Sequence, residues 1–347
     1  MTIYEAGTVF PAGSEFGNCC ELGDGCKFGV GCKFGIGCEL GNYCELGDGC
    51  KFGDHCTLGD HCELGNDCKL GNYCKLGDGC KFGDGCKFGD HCELGNDCKL
   101  GNYCKLGDDC TFGFGCELGN YCKLGDDCKF GDHCTLGDHC TLGDDCTLGD
   151  HCTLGNYCKL GIGCELGNYC ELGDRCTLDD GCKFGVGCKF GVGCKFGVGC
   201  KFGVGCKFGN YCELGVGCKL GDGCKFGNYC TLGDHCTLGD YCELGVGCKL
   251  GNYCTLGDYC ELGVGCTLGD HCKLGDGCVW LGVKVISWLT LANVDGSGRQ
   301  VKLVKHDNGV KVEAGCFNDT LEEFLAKAES EGKLRYVAVI KSVAEVL

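Results

Sequence analysis

The sequence predicts an all-β solenoid, a parallel β-helix of about 15 coils, followed by a small α+β domain. The first observation is a cysteine at every sixth residue from Cys20 to Cys278. The second is the order within each hexad: Cys, then Lys, Glu or Thr, then Leu or Phe, then a triplet that nearly always begins with Gly. The third is that a period of six with a glycine in every hexad gives no 3.6-residue apolar stripe, which excludes a helix.

Each hexad is long enough for one very short strand and one corner. Cys and Leu/Phe lie two positions apart, so on an extended segment they share one face and the residue between them takes the other. The triplet that follows is typical of turns. Three such units closing a triangle give an 18-residue coil, and stacked coils bury the Cys and Leu/Phe positions in a continuous core.

The hexad also resembles a known repeat. Phe28-Gly29-Val30-Gly31-Cys32-Lys33 has the order Leu/Phe, Gly, two corner residues, Cys and an outward residue. This order is similar to the hexapeptide repeat of left-handed parallel β-helix proteins, with cysteine where that family has its small inward residue. The resemblance covers about four fifths of the chain and implies triangular, left-handed coils. The handedness rests on the resemblance alone, since parallel crossovers are normally right-handed.

The repeat divides the chain into three predicted regions. Residues 1–19 form a degenerate N-terminal capping coil, in which Thr2, Thr8 and Ser14 keep the cysteine phase. Terminal repeats are expected to be atypical because they close an open sheet edge. Residues 20–281 form the hexapeptide-repeat β-helix, and residues 282–347 form the C-terminal domain. Cys19 falls at a corner, and we expect it to be the most exposed thiol.

The 46 cysteines raise the question of redox state. No signal peptide or transmembrane run opens the sequence, and a secreted disulfide scaffold is typically short and rich in loops. We therefore predict a cytoplasmic protein (in the host cytoplasm if it is encoded by a phage) whose cysteines are reduced core residues. The alternative is a set of vertical disulfides, because cysteines 18 residues apart would have Cα atoms about 4.8 Å apart.

The corners account for most residues that look chemical. Eight of the nine histidines precede a cysteine, a position at which glycine, aspartate and histidine suit the left-handed backbone region. A functional interpretation would make some of them metal ligands or a general base. None is distinguished from its copies, and no nucleophile–base–orienter set is recognisable, so we predict no catalytic, metal or cofactor site. The eight are His55, His61, His91, His133, His139, His151, His235 and His271.

Two basic features stand out in a chain whose formal net charge is -18. Like charges in register repel, so a column of lysines on one face requires acidic corners nearby or an anionic partner. That column, called the lysine ladder below, contains Lys33, Lys51, Lys69, Lys87, Lys105 and Lys123. The second feature, called the collar, joins five lysines to four valine corners: Lys183, Lys189, Lys195, Lys201, Lys207, Val186, Val192, Val198 and Val204.

The collar is the predicted contact site for a partner. No acidic residue occurs from Gly181 through Cys212. The five lysines lie within roughly 10 Å along the solenoid axis, about one Debye length at 0.1 M salt, so their potentials add. The valine corners supply apolar area that aspartate corners lack. The alternative is a copied repeat with no binding role.

After Cys278 the hexads end and ordinary strand and helix patterns begin. Alternation and turn residues predict strands at 283–292, 301–305 and 310–314, with turns at 295–298 and 306–309. A capping box at 320–323 opens a helix to about Glu329, and a second helix is predicted at 334–346. Gly315-Cys316-Phe317, leading into 320–324, resembles the C-terminal domain of uncharacterised hexapeptide-repeat proteins of tailed phages and bacteria. Its simplest role is to cap the last coil.

These features favour a non-enzymatic, rigid solenoid that serves as a structural or interaction scaffold. No inserted loop interrupts the hexads, and loops are where function usually lies. One alternative is an acyltransferase-like enzyme, which the resemblance implies because many hexapeptide-repeat proteins have that activity. Another is an acidic mimic of a nucleic-acid duplex that inhibits a DNA-binding protein. We expect a protein partner, or self-association through the C-terminal domain or the β-helix ends, and neither a membrane nor a nucleic acid.

Overall fold

The computed structural model describes residues 2–292, 294, 300–314 and 317–347. Contacts divide the chain into two compact units, Met1–Lys219 and Leu220–Leu347. Both contain the same repeat of two-residue strands, each with one outward and one inward side chain. The first strand is Ile3–Tyr4, a new strand begins at every sixth residue, and the last is Val279–Trp280. The prediction of a parallel β-solenoid of about 15 turns is confirmed.

Three parallel sheets form the walls of the first unit. Successive strands belong to the three sheets in turn, so each strand pairs with the strands 18 residues before and after it. The first face begins with Ile3–Tyr4, the second with Val9–Phe10 and the third with Glu15–Phe16. The pairing is in register and places Lys27 beside Glu45. Each hexad position therefore forms a column of equivalent residues on one face.

The core consists of the columns that the repeat predicts. Every cysteine from Cys26 to Cys266 is 0% exposed, and the Leu and Phe positions from Phe16 to Leu268 are at most 7% exposed. Phenylalanines that recur on one face stack, as Phe34 does on Phe52 with ring centroids 4.3 Å apart. Burial of this apolar surface in every coil is the main term that stabilises the array.

Cysteine suits the inward position because its thiol also satisfies a backbone group. The Cys38 thiol donates to the carbonyl oxygen of Gly17 at 3.1 Å. The same contact, to the residue 21 positions earlier, recurs from Cys26 to Cys200. Burial raises the pKa of Cys32 and of Cys38, so these thiols stay protonated. No disulfide joins any two cysteines in the described part of the chain.

The corners hold neighbouring coils together. The last corner residue adopts the predicted left-handed conformation, with φ of 57° at Tyr43 and 58° at His55. The residue before it, usually Asp or Asn, reaches the next coil. Asp54 Oδ1 accepts the backbone N–H of Asn72 at 2.8 Å, and Asn72 Oδ1 accepts that of Asp90 at 2.9 Å. This side-chain relay explains a preference for Asp and Asn that turn propensity alone does not explain.

The glycine that opens each corner is required by close packing between coils. A Cβ on Gly59 would lie 2.7 Å from the backbone nitrogen of Asn42 in the adjacent coil. Real Cβ atoms do not approach a backbone so closely, so a larger residue forces the coils to adjust. Asp179 is the one departure from Gly17 onward, and its backbone N–H still donates to Leu160 at 3.1 Å.

The second unit contains the last repeat strands and the C-terminal domain. Val279–Trp280 pairs antiparallel with a short strand, Val283–Lys284. The domain is an antiparallel four-stranded sheet with two helices packed against it. The strands are Ser287–Ala292, Gln300–His306, Gly309–Ala314 and Phe317–Thr320, and the helices are α1, Leu321–Ser330, and α2, Leu334–Val346. Within the described residues, no helix combines the length and apolarity needed to cross a membrane.

Two lysines of the C-terminal sheet bind backbone carbonyl groups at the end of the repeat strands. Lys302 is 4% exposed, and its Nζ donates to the carbonyl oxygen of Cys266 and to Glu313 Oε1, the latter at 3.1 Å. Lys311 Nζ donates to the carbonyl oxygen of Leu281 at 2.7 Å. These carbonyl groups lie where the regular ladder ends, so the lysines act as the cap that terminal repeats need.

The predicted elements of the C-terminal domain agree with the structure except in two places. The strand predicted at 283–292 is interrupted at Val285 and Ile286. A fourth strand, Phe317–Thr320, was not predicted, because its polar sequence lacks apolar alternation, yet it pairs with the third strand of the sheet. Thr320 caps α1 as predicted and accepts the N–H of Glu323 at 3.3 Å. The turn predicted at 295–298 and the motif residues Gly315 and Cys316 lie outside the described residues.

Candidate interaction surfaces

The collar lysines do not form one patch, because the coil distributes them over three faces. Lys183 and Lys201 are neighbours on the first face. Lys189 and Lys207 are neighbours on the second face. Lys195 lies on the third face, beside a threonine of the preceding coil. A partner that approaches from one side therefore meets only part of the predicted site.

One edge of the collar does bring lysines and valines together. Val186 and Val204 occupy consecutive coils at the edge between the first and second faces, where Gly187 donates its N–H to the Val204 carbonyl at 2.9 Å. The two lysine pairs flank this edge on either side. We call this group the collar edge, and its members are Lys183, Val186, Lys189, Lys201, Val204 and Lys207.

Acidic residues on flanking coils neutralise three of the five collar lysines. The ion pairs are Lys183–Glu165 at 2.5 Å, Lys189–Glu171 at 2.5 Å and Lys195–Glu213 at 3.1 Å. Among the described residues, Lys201 and Lys207 have no carboxylate within ion-pair distance. The unneutralised charge of the collar is therefore concentrated on these two lysines, both of which belong to the collar edge.

The valine corners depart from the corner relay. Asn168 Oδ1 accepts the backbone N–H of Val186 at 2.8 Å, but valine has no acceptor to offer the coil after it. The side chain of Val198 is 51% exposed and that of Val204 is 49% exposed. These corners thus give up an inter-coil hydrogen bond and expose apolar surface. Departures from a local rule are expected at functional positions.

The lysine ladder is a longer basic feature than the collar. Its six lysines are adjacent in register on consecutive coils of the third face. Lys33 pairs with Glu15 at 2.6 Å, and this contact lowers the pKa of Glu15. From Lys51 to Lys123, five lysines follow one another without an ion pair in the part of the chain that the structure describes.

The corner histidines stack on neighbouring rings. His133 and His151 lie 4.9 Å apart with an interplanar angle of 10°, as their spacing predicts. The structure brings together no group of three or more described His, Cys, Asp or Glu side chains that could hold a metal ion. His133 and His151 each contact a ring on both faces, Phe114 and Tyr169 being the outer neighbours, so these two histidines are part of a corner stack.

One aromatic stack runs along the edge between the second and third faces. It contains Tyr103, Tyr121, His139 and Tyr157, with successive centroids 4.7–5.2 Å apart. Arg175 closes it, with Nη1 donating to the Tyr157 hydroxyl at 3.1 Å. Because the ring faces contact one another, the stack offers only its edges to a partner.

Three segments of the array match a family model. Residues 73–108, 121–156 and 217–252 match the family described as bacterial transferase hexapeptide (six repeats). Together with the solenoid of about 15 turns, these matches fit a hexapeptide-repeat β-helix. No curated protein matches the chain at a significant level. The resemblance of its C-terminal domain to phage proteins therefore stays a prediction.

The walls of the solenoid carry shallow grooves. One groove follows the second face and is lined by Lys27, Glu45 and Glu63 together with the inward residues beside them. Another follows the first face near Ile3, Glu21 and Glu39. Both are open along their length, so each provides a contact surface and little enclosure for a small substrate.

Proposed function

We propose that this protein is a non-enzymatic, rigid scaffold that acts through contacts made by its surface. The observation that carries the proposal is the uniform use of the hexad. The inward residues are buried, and the corner side chains bind or stack on adjacent coils. The outward residues are left for contacts, and paired strands hold them at about 4.8 Å intervals.

The contact site that we propose is the collar edge, and its partner is an acidic protein surface. Lys201 and Lys207 supply positive charge that no described carboxylate neutralises, and the half-exposed Val204 lies between them. A combination of apolar area and flanking charge is typical of interfaces. Lys195, Val192 and Val198 lie on the other sides of the coil and do not belong to this contact.

A charge-reversal variant tests the site with fluorescein-labelled poly-L-glutamate as the probe. The variant is Lys201→Glu/Lys207→Glu/Val204→Asp in the full chain. It should fold, because each new glutamate lies beside Lys183 or Lys189, and aspartate is a common corner residue that restores the relay. We expect wild-type binding, measured by fluorescence anisotropy, to weaken about tenfold or more in the variant and to weaken with added salt.

The matched control is Lys249→Glu/Lys273→Glu/Val264→Asp, which makes the same changes of residue type at exposed positions outside the collar. It should bind like the wild type. Equal loss of binding in the control would refute the site, because the effect would then reflect net charge. Loss only in Lys87→Glu/Lys105→Glu/Lys123→Glu would assign poly-L-glutamate binding to the lysine ladder instead.

An acyltransferase is the second candidate function. The observation that favours it is the description of the matching family, which names a bacterial transferase. Such an enzyme would need a side chain that acts as general base beside a bound acyl donor. Binding of an acyl-CoA therefore discriminates between the two candidates.

A further inference from the structure

We propose that the lysine ladder binds a second copy of this chain, through a column of aspartates beside the ladder. The ladder residues concerned are Lys87, Lys105 and Lys123. The aspartates are Asp109, Asp127 and Asp145, called the aspartate column below. The proposal is independent of the collar, because it uses other faces of the coil and another partner.

At these three lysines the ladder presents positive charge that no carboxylate among the described residues neutralises within ion-pair distance. Lys87 lies beside Lys105, and Lys105 lies beside Lys123, on consecutive coils. All three side chains are exposed. Lysines in register repel one another, so the column destabilises the array unless an anionic group approaches it. The repulsion is therefore relieved when an acidic column of matching spacing binds.

The aspartate column presents the complementary charge. Asp109 donates its backbone N–H to Asp126 at 2.9 Å, and Asp127 donates to Asp144 at 2.9 Å, which places the corners on consecutive coils. All three column side chains are exposed. Desolvation, and then the charges of Asp109 and Asp145, raise the pKa of Asp127. Among the described residues, the basic group nearest the column is His91, whose Nδ1 lies 3.6 Å from Asp109 Oδ2.

The two columns run side by side, so a two-fold axis pairs them. Lys105 lies on the third face, and Asp109, four residues later, lies at the edge which that face shares with the first. Both columns rise by one strand spacing, about 4.8 Å per coil. Rotation by 180° about an axis parallel to the solenoid places each ladder opposite the partner's aspartate column. Every contact then occurs twice, as in an isologous dimer.

The flanking charges favour a second copy over a broad polyanion. A nucleic-acid duplex or an anionic membrane that covered the ladder would also meet the aspartate column and be repelled by it. A second copy presents a narrow acidic edge, the aspartate column with the exposed Asp108, Asp126 and Asp144 beside it, next to its own lysine ladder. Its spacing equals that of the ladder because the same strand pairing sets both. Charge pattern and repeat length therefore select the same partner.

The net charge of -18 sets the conditions under which the dimer forms. At low salt the two molecules repel over their whole length. At about 0.15 M salt the Debye length is about 8 Å, so this repulsion is screened while ion pairs in contact persist. Exposed ion pairs are individually weak, and we expect a dissociation constant on the order of 100 µM. Association should be strongest at intermediate salt and weaker on either side of it.

Sedimentation velocity of the full chain, with reversed columns, tests the proposal. Lys87→Glu/Lys105→Glu/Lys123→Glu makes both columns acidic, and Asp109→Lys/Asp127→Lys/Asp145→Lys makes both basic. Each variant alone should lose self-association by about tenfold or more. An equimolar mixture should regain it, because each acidic column then faces a basic one. If the Asp109→Lys/Asp127→Lys/Asp145→Lys variant fails to fold, a second variant replaces the three aspartates with glycine, a native corner residue. This second variant should still weaken the dimer.

The control mixture separates this contact from attraction between oppositely altered molecules. Lys219→Glu/Lys249→Glu/Lys273→Glu changes the net charge equally outside both columns, and mixing it with the aspartate-reversed variant should give no heterodimer. A wild-type chain that stays monomeric at about 500 µM would overturn the proposal. So would a control mixture that forms heterodimers as readily as the matched one, since the control variant keeps both native columns and should form only homodimers. Binding of heparin that requires the ladder, without self-association, would assign the ladder to a polyanion.

Discussion

The buried lysine at the end of the repeat strands provides a sharp test of the fold. Lys302→Met keeps the apolar stem and removes the ammonium group. The Cys266 carbonyl then loses its donor, and the Glu313 carboxylate, 12% exposed, loses its cation. Glu313 depends on this contact, since its Oε2 is buried without a hydrogen-bond partner among the described residues.

The expected loss follows from the burial of the pair. Removing one partner of a buried ion pair costs about 3–5 kcal/mol, and orphaning a buried carbonyl costs about 1–3 kcal/mol. The two terms overlap, because both describe one desolvated site. We expect the free energy of unfolding of the second unit to fall by about 4 kcal/mol. Adding Glu313→Gln removes the stranded charge and should recover about half of that loss.

Tryptophan fluorescence during urea unfolding measures this loss at the right place. Trp280 and Trp288 are the two tryptophans of the chain, and their rings lie 5.3 Å apart. Trp280 is fully buried, with Lys302 Nζ 5.6 Å from its ring. A local probe is needed because repeat arrays do not always unfold in one step. An unchanged midpoint in Lys302→Met, or a double variant less stable than the single one, would show that the Lys302–Glu313 pair does not stabilise this unit.

Three further predictions concern the repeat. Burial raises the pKa of the Cys32 and Cys38 thiols above the usual 9.0, so at these two positions the unfolded chain loses its thiol protons first. The stability that these two thiols contribute should therefore be full below about pH 8 and decline above about pH 9, by up to about 1.4 kcal/mol per thiol per pH unit, in thermal melts under reductant. In the native protein, iodoacetamide should modify few thiols besides the exposed Cys19. After denaturation without reductant, mass spectrometry should show that all 46 thiols are modified, and thiols that react only after reduction would indicate disulfides. Gly59→Ala should lower the melting temperature. Gly49→His should not, because a Cβ on Gly49 meets no atom within 4 Å and histidine is a native corner residue.

The sequence predicts the fold well because one short pattern specifies several levels of structure. The period of six places every cysteine and every Leu/Phe inside, and the structure agrees from Cys26 to Cys266. It also predicts the left-handed corners at His55 and Tyr43. Each prediction depends on neighbours within one hexad, and such local constraints can be read directly from the chain.

Contacts between coils were harder to predict. The collar appears free of acids along the chain, yet Glu165 and Glu171 neutralise two of its lysines from 18 residues away. The Asp54–Asn72 relay was missed for the same reason, since turn propensity describes a corner in isolation. Phe317–Thr320 was missed because a polar edge strand has no apolar pattern and is defined by its partner.

Isothermal titration calorimetry of the intact protein with acetyl-CoA distinguishes a scaffold from an acyltransferase. The grooves found on the described walls are open, so they give an acyl donor little enclosure. We therefore predict no saturable heat, both for the wild type and for a His133→Asn/His139→Asn/His151→Asn variant that keeps the left-handed corners. Saturable binding at micromolar concentration, lost in that variant, would contradict the scaffold and establish the enzyme in its place.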